Sequence, residues 1–292
     1  MSSIATGLNP EQLVAVEHGS GPLVVFAGAG SGKTRVITRR VAHLIEAQRV
    51  PPYRILAVTF TNKAARELRE RLEQLAPGQA GSLWVGTFHA VCARLLRAYA
   101  TQIGIRKDFV IYDDSDQKSM LTRVINGMDL DDRVFPPKQV AYRINAAKQE
   151  GKSPDAMEAH DSFERTVREI YAEYEQRMAA SSALDFGDLI YRLVRELDQR
   201  PDMRAALKAR FSHVLVDEFQ DVNHVQFAFV QTLCEDHRNL CVVGDDDQSI
   251  YRWRGADRRN ILEFRQHFPD ATVVKLEQNY RSTQRILRAA NA

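Results

Sequence analysis

The sequence predicts an α/β fold, a parallel β-sheet flanked by helices, with an inserted, mostly helical subdomain. Three observations carry this. Apolar runs recur at Leu23–Phe26, Ile55–Val58, Leu83–Val85, Val214–Val216, Leu240–Val243 and Thr272–Leu276. They are apolar on both faces, as strands covered by helices on either side must be. Helical patterns lie between several of them, and such alternation means a parallel sheet with right-handed crossovers. Between the third and fourth runs the rhythm breaks for far longer than an ordinary connection allows.

Each element has its own signal. After the first run, Ile37, Val41, Leu44 and Ile45 share one face of a helix. After the second, Ala65, Leu68, Leu72 and Leu75 do the same, and Val225, Phe229, Val230 and Leu233 follow the fourth. Residues 89–211 are predicted to be the insertion, with turns at Phe135-Pro136-Pro137 and Gly151-Lys152-Ser153-Pro154. Residues 1–88 and 212–292 are then the sheet domain. Near the end, Ser282 reads as an N-cap, and the helical pattern Gln284–Ala292 has no stop signal. A chain cut from a longer protein is expected.

Composition narrows the class. With 44% hydrophobic and 27% charged residues among 292, the chain has ample material for a core, which excludes a disordered protein. A net charge of +2 excludes a uniformly basic surface, so any nucleic-acid track has to be local. Cys92, Cys234 and Cys241 show no paired spacing, hence no zinc or disulfide framework, which fits a reducing compartment. The N-terminus lacks an apolar signal core and no run is long enough to cross a bilayer. The expectation is a cytoplasmic protein with no membrane partner.

The first run leads into Ala27-Gly28-Ala29-Gly30-Ser31-Gly32-Lys33-Thr34 and then a helix. Small residues let the backbone wrap tightly, so its amides point at phosphate oxygens at a helix N-terminus. Lys33 adds a point charge for the β- and γ-phosphates, and the Thr34 hydroxyl can ligate Mg2+. Ala27 stands where the usual pattern has glycine, which is tolerable if its φ is negative. A metal-holding acid is needed on a neighbouring strand. Asp217 and Glu218, at the C-terminal end of the fourth run, supply one for Mg2+ and one to polarise the attacking water. The competing reading makes these acids, or Asp221, caps of the next helix. Together these features indicate a P-loop ATPase.

Further blocks narrow it. Leu8-Asn9-Pro10-Glu11-Gln12, Thr59-Phe60-Thr61-Asn62-Lys63, Gly86-Thr87-Phe88-His89, Asp217-Glu218-Phe219-Gln220-Asp221, the run from Gly244 to Ala256, and Glu277-Gln278-Asn279-Tyr280-Arg281-Ser282-Thr283 occur in order. The series resembles the UvrD/Rep/PcrA family of superfamily 1 DNA helicases, from about Leu8 to Thr283. The resemblance implies a RecA-like first motor domain (1A) at 1–88 and 212–292, a helical subdomain (1B) at 89–211, and a second RecA-like domain absent from this chain.

It also implies roles. Gln12 would read the adenine edge, since a carboxamide donates and accepts at once. Asn9-Pro10-Glu11-Gln12 is equally a capping box, and both readings can hold. Arg35 and Tyr280 would sandwich the adenine. Gln248 would sense the γ-phosphate and link it to DNA, and Arg281 would stabilise transition-state charge.

For the DNA track, Tyr251 and Trp253 would stack bases of any sequence, with Arg254 among the cations beside them. Phe60, Thr61, Asn62 and Lys63, with Thr87 and His89, would line the same track. Asn62 reads equally as a helix N-cap. Asp185-Phe186-Gly187-Asp188-Leu189 resembles a further family block, in which Phe186 either touches a base or packs in a core. Arg143 and Lys148 either grip DNA or belong to solvated helix faces.

The expected function is an ATP- and Mg2+-dependent 3′-to-5′ DNA helicase, with single-stranded DNA and single-strand/duplex junctions as partners. This chain alone is expected to be an incomplete motor, with weak or no activity. A nucleotide-regulated DNA-binding module without motor activity, or the motor half of a helicase–nuclease, are the alternatives.

Overall fold

A computed structural model describes residues 4–245, 259–262 and 264–281. The chain forms two compact units. One takes in the residues up to Val91, Asp202–Val222 and the described residues from Val230 onward. The other is Cys92–Pro201 with Asn223–Phe229.

The first unit is built on a six-stranded sheet. In chain order its elements begin α1 (Pro10–Glu17), β1 (Leu23–Ala27), α2 (Lys33–Glu46), β2 (Ile55–Thr59), α3 (Asn62–Leu75) and β3 (Trp84–Thr87), and α4 (Phe88–Tyr99) starts here and runs on into the second unit. The strand order is β3-β2-β6-β7-β1-β8, and every pairing is parallel. The expected strands are all present, at nearly the expected bounds. Helix α2 buries Val36, Ile37, Val41, Leu44 and Ile45, and α3 buries Ala65, Leu68 and Leu72, so the helical periodicity faces the sheet core as the sequence predicts.

The second unit contains β4 (Val110–Tyr112), α5 (Asp114–Gly127), α6 (Pro137–Gln149), α7 (Ser162–Ala180), β5 (Ala183–Asp185) and α8 (Phe186–Gln199). Its core gathers Leu121, Val124, Ile125, Val140, Ile144, Val167, Ile170, Tyr171 and Tyr174. Strands β4 and β5 pair in parallel with Tyr112 opposite Asp185. Each strand runs straight into a capped helix: Asp113 and Asp116 form a capping box on α5, Asp185 and Asp188 one on α8. This small sheet has no sequence signature, because β4 is short and largely solvent-facing.

Lys148 corrects the DNA-grip and solvated-face readings alike. Its side chain is fully buried, with Nζ 2.9 Å from Asp185, 2.5 Å from Asp188 and 2.8 Å from Glu175. Tyr174 Oη and Gln117 Nε2 also donate to Asp185, each at 2.9 Å. Burial pulls the Lys148 ammonium's pKa down, but the three carboxylates outweigh it and hold it well above the lysine range. A buried charge needs such partners, and α7, α8 and β5 each supply one. Arg143, in contrast, is half-exposed and 3.6 Å from Glu164.

The remaining elements are α9 (Pro201–Arg210), β6 (His213–Val216), α10 (His224–Cys234), β7 (Leu240–Gly244), α11 (Arg259–Leu262), α12 (Phe264–His267) and β8 (Thr272–Leu276). Asp221 is not the cap of α10. Asn223 takes that place, accepting from Gln226 N while Gln226 Oε1 accepts from Asn223 N, each at 3.0 Å. No helix among the described residues is long and apolar enough to cross a membrane.

Candidate active site

The loop after β1 turns through two left-handed glycines, Gly30 (φ 75°) and Gly32 (φ 95°), before α2 starts at Lys33. Gly32 is the N-cap of α2 and has no side chain to offer the first-turn amides, which stay available to an anion. Ser31 braces the loop, its hydroxyl donating to Gly28 O at 2.7 Å. Ala27 lies inside β1 and is not among the residues with positive φ, so alanine costs nothing there.

Strand order decides which acids meet this loop. β7 lies between β1 and β6 with Phe26 level with Gly244, so Asp245 follows directly beside Ala27, and Asp217 one strand further. Lys33 Nζ is 3.4 Å from Glu218 Oε2 and 3.8 Å from Asp245 Oδ2. Asp217 is buried, and burial first, then the neighbouring Glu218 charge, push its pKa up to about 7. Glu218 and Asp245 flank Lys33 and Asp217 adjoins Glu218, so carboxyl groups outnumber the lysine at this end of the sheet.

Among the described residues no three His, Cys, Asp or Glu side chains form a metal cage by themselves. A Mg2+ ion takes one or two carboxylates and completes its shell with phosphate oxygens and water. Asp217 and Thr34 could hold it.

The segment after β8 closes the other side of the loop. Asn279 Nδ2 donates to Ala29 O at 2.6 Å, Tyr280 N to Gly30 O at 2.9 Å, and Arg281 N to Asn279 Oδ1 at 2.8 Å. A Cβ on Gly30 would lie 2.5 Å from Arg281 Cβ, so glycine is what lets Arg281 approach. Gln12 is buried and forms the capping box with Asn9, while its Nε2 donates to Ser31 O at 2.8 Å. Arg35 donates to Gly7 O at 3.2 Å, and the exposed Tyr280 hydroxyl donates to Gln278 Oε1 at 2.9 Å.

The loop after β2 presents Thr61, Asn62 and Lys63 to solvent, with Phe60 half-buried. Thr61, accepting from Ala64 N at 3.1 Å, is the N-cap of α3. Asn62 is therefore the first helical residue and not the cap. Lys63 is 3.9 Å from Glu67, a surface pair. Thr87 is buried and its hydroxyl accepts from Ala90 N at 3.2 Å, with His89 half-buried beside it. Phe186 is exposed at the start of α8 rather than packed in a core. Gln248, Tyr251, Trp253 and Arg254 lie outside the described residues.

Sequence reasoning assigned no role to Asp245, Gln220 or Asn279. Asp245 had a signal: like Asp217, it follows an apolar run directly past a strand end. Gln220 and Asn279 fall within the family-like blocks, but no local pattern marks the bonds of Gln220 to Asp245 and of Asn279 to Ala29, which cross between distant segments.

Comparison with known proteins accords with this geometry. The family model described as UvrD/REP helicase N-terminal domain matches residues 8–269. The chain is 45% identical over 292 residues to an ATP-dependent DNA helicase PcrA of Bacillus subtilis (strain 168), covering 99% of this chain and 40% of that protein. It is 45% identical over 293 residues to one from Staphylococcus aureus (strain Mu50), and 44% to one from Staphylococcus epidermidis. The chain thus spans about 40% of the length of the curated relatives it matches.

Proposed function

The chain belongs to the UvrD/REP helicase family, and on that premise we propose that it is the nucleotide-binding part of an ATP-dependent 3′-to-5′ DNA helicase acting in the cytoplasm. The motor moves along single-stranded DNA and opens single-strand/duplex junctions. A second RecA-like domain, supplied beyond this chain, completes it. Residues 1–88 and 212–292 act as its first motor domain and 89–211 as its inserted subdomain.

The observation that carries this reading is Lys33 poised between the phosphate loop and the carboxylates of Glu218 and Asp245. The backbone from Ala27 through Gly28, Ala29, Gly30, Ser31 and Gly32 cradles the phosphates, and Lys33 meets the β- and γ-phosphate oxygens. Asp217 and Thr34 hold Mg2+, which supplies charge neutralisation on the phosphate oxygens. Glu218 accepts the proton of the attacking water, and Arg281 steadies the charge that grows on the γ-phosphate. Arg35 and Tyr280 face the adenine, and Gln12 reads its edge.

Tyr251 and Trp253 stack bases while Arg254 meets phosphate, and Phe60, Thr61, Asn62, Lys63, Thr87 and His89 extend the track. Gln248 couples the two sites. Alone, the chain binds MgATP weakly and hydrolyses it slowly.

Titration with a fluorescent ATP analogue, alongside single-turnover hydrolysis with the chain in excess, tests this. Binding that needs Lys33 and hydrolysis that needs Glu218 are expected. Undetectable binding, or hydrolysis unchanged in Glu218→Gln, would sink the proposal.

A further inference from the structure

Gln220 sits in the turn Phe219–Asp221 that follows β6, buried, two residues beyond Glu218. Glu218 is left-handed (φ 51°), unusual for a side chain with a Cβ and costly by about 1–2 kcal/mol. That twist lets the side chains of Glu218 and Gln220 meet. Gln220 Nε2 donates to Glu218 Oε2 at 2.8 Å, and Gln220 Oε1 accepts from the Asp245 backbone N–H at 3.0 Å. One carboxamide therefore ties the end of β6 to the end of β7.

The tie closes a ring. Lys33 stands 3.4 Å from Glu218 and 3.8 Å from Asp245, so Lys33, Glu218, Gln220 and Asp245 are linked head to tail. Gly244 makes room for it: a Cβ there would lie 2.6 Å from Gln220 Oε1 and 3.3 Å from its backbone nitrogen. A carboxamide offers a donor and an acceptor at once, whereas a carboxylate accepts only and an apolar chain does neither.

We propose that Gln220 is the positioning residue of the hydrolytic base. It pins Glu218 through Oε2, the oxygen that also faces Lys33, and so leaves Oε1 to take the proton from the attacking water. It further couples the base to Asp245, so that the two strand ends move as one. This role rests on Glu218 acting as the base.

Gln220→Met keeps the volume and removes both hydrogen bonds. Gln220→Glu keeps the acceptor for Asp245 N–H and sets a second carboxylate against Glu218. Single-turnover hydrolysis by the whole chain, nucleotide affinity by titration with the fluorescent analogue, and melting temperature are measured together, with Glu218→Gln in parallel. We expect about tenfold slower hydrolysis in Gln220→Met, more in Gln220→Glu, and nucleotide affinity within about twofold of the parent. A purely structural role would move affinity and melting temperature in step with the rate.

Should Gln220→Met not fold, Gln220→Asn carries the same expectation, having the same groups one methylene short of bridging both partners. Hydrolysis within twofold of the parent in the Gln220 variants, while Glu218→Gln is silent, overturns the positioning role alone. Undiminished hydrolysis in Glu218→Gln overturns the base assignment and this role with it.

Discussion

The ammonium of Lys33, first residue of α2, lies 3.4 Å from the carboxylate of Glu218, just past β6. Elements nearly two hundred positions apart thus share one charge centre, and each can be tested separately.

Lys33→Ala removes the cation proposed to meet the phosphates while leaving the exposed loops after β2 untouched. Hydrolysis should fall at least about a hundredfold, and affinity for an oligo(dT) strand should stay within about twofold. Fluorescence anisotropy and a phosphate-release assay check the two halves. Parallel loss of DNA affinity would mean that the two sites are not separable.

Gly32→Ala and Gly28→Ala should behave oppositely. At Gly32, φ is 95° and a Cβ would lie 2.7 Å from Gln12 Nε2, whereas at Gly28 nothing lies within 4 Å. Urea unfolding should show a loss of about 1–3 kcal/mol for the first and less than about 0.5 kcal/mol for the second. Equal losses would contradict the loop conformation described here.

Lys148→Met should be among the most damaging substitutions in the second unit. It strands Asp185, Asp188 and Glu175 around an apolar side chain, at a cost of about 3–5 kcal/mol. Arg143→Ala, which removes half of a partly exposed pair, should cost less than about 1 kcal/mol. Comparable denaturation midpoints for the two variants would refute the buried hub.

Asp217 should set a pH dependence. In the folded chain it keeps its proton up to about pH 7, whereas an unfolded aspartate releases it near 3.8. Across that window folding takes up a proton, so this residue's contribution to stability falls as pH rises and is fully lost above the folded value. Asp217→Asn abolishes the slope. In metal-free buffer its stability relative to the parent should rise by ~2 kcal/mol between about pH 5 and about pH 8. A difference that is flat with pH would count against the buried, protonated carboxyl.

Trp253→Ala should weaken single-strand affinity by about 1–3 kcal/mol irrespective of base sequence. Unaltered affinity in an anisotropy titration would remove the stacking proposal.

Much of the first unit was legible in the chain itself. The runs at Leu23, Ile55, Val214 and Leu240 are apolar on both faces, and burial from both sides is the only environment that rewards this. Gly30 and Gly32 signal a left-handed turn into a helix, because glycine takes positive φ without steric cost, and with Lys33 they match the phosphate-loop pattern.

What tertiary structure alone decided is who stands next to whom. Placing β7 between β1 and β6 brings Asp245 to Lys33, lets Gln220 bridge two strand ends, and sets Asn279 against Ala29. In the second unit it drew Lys148 out of an ordinary helical pattern into the core. Local sequence encodes the period and the caps, which depend on near neighbours. Strand order and buried charge pairing depend on contacts between segments far apart in the chain, which no local pattern records.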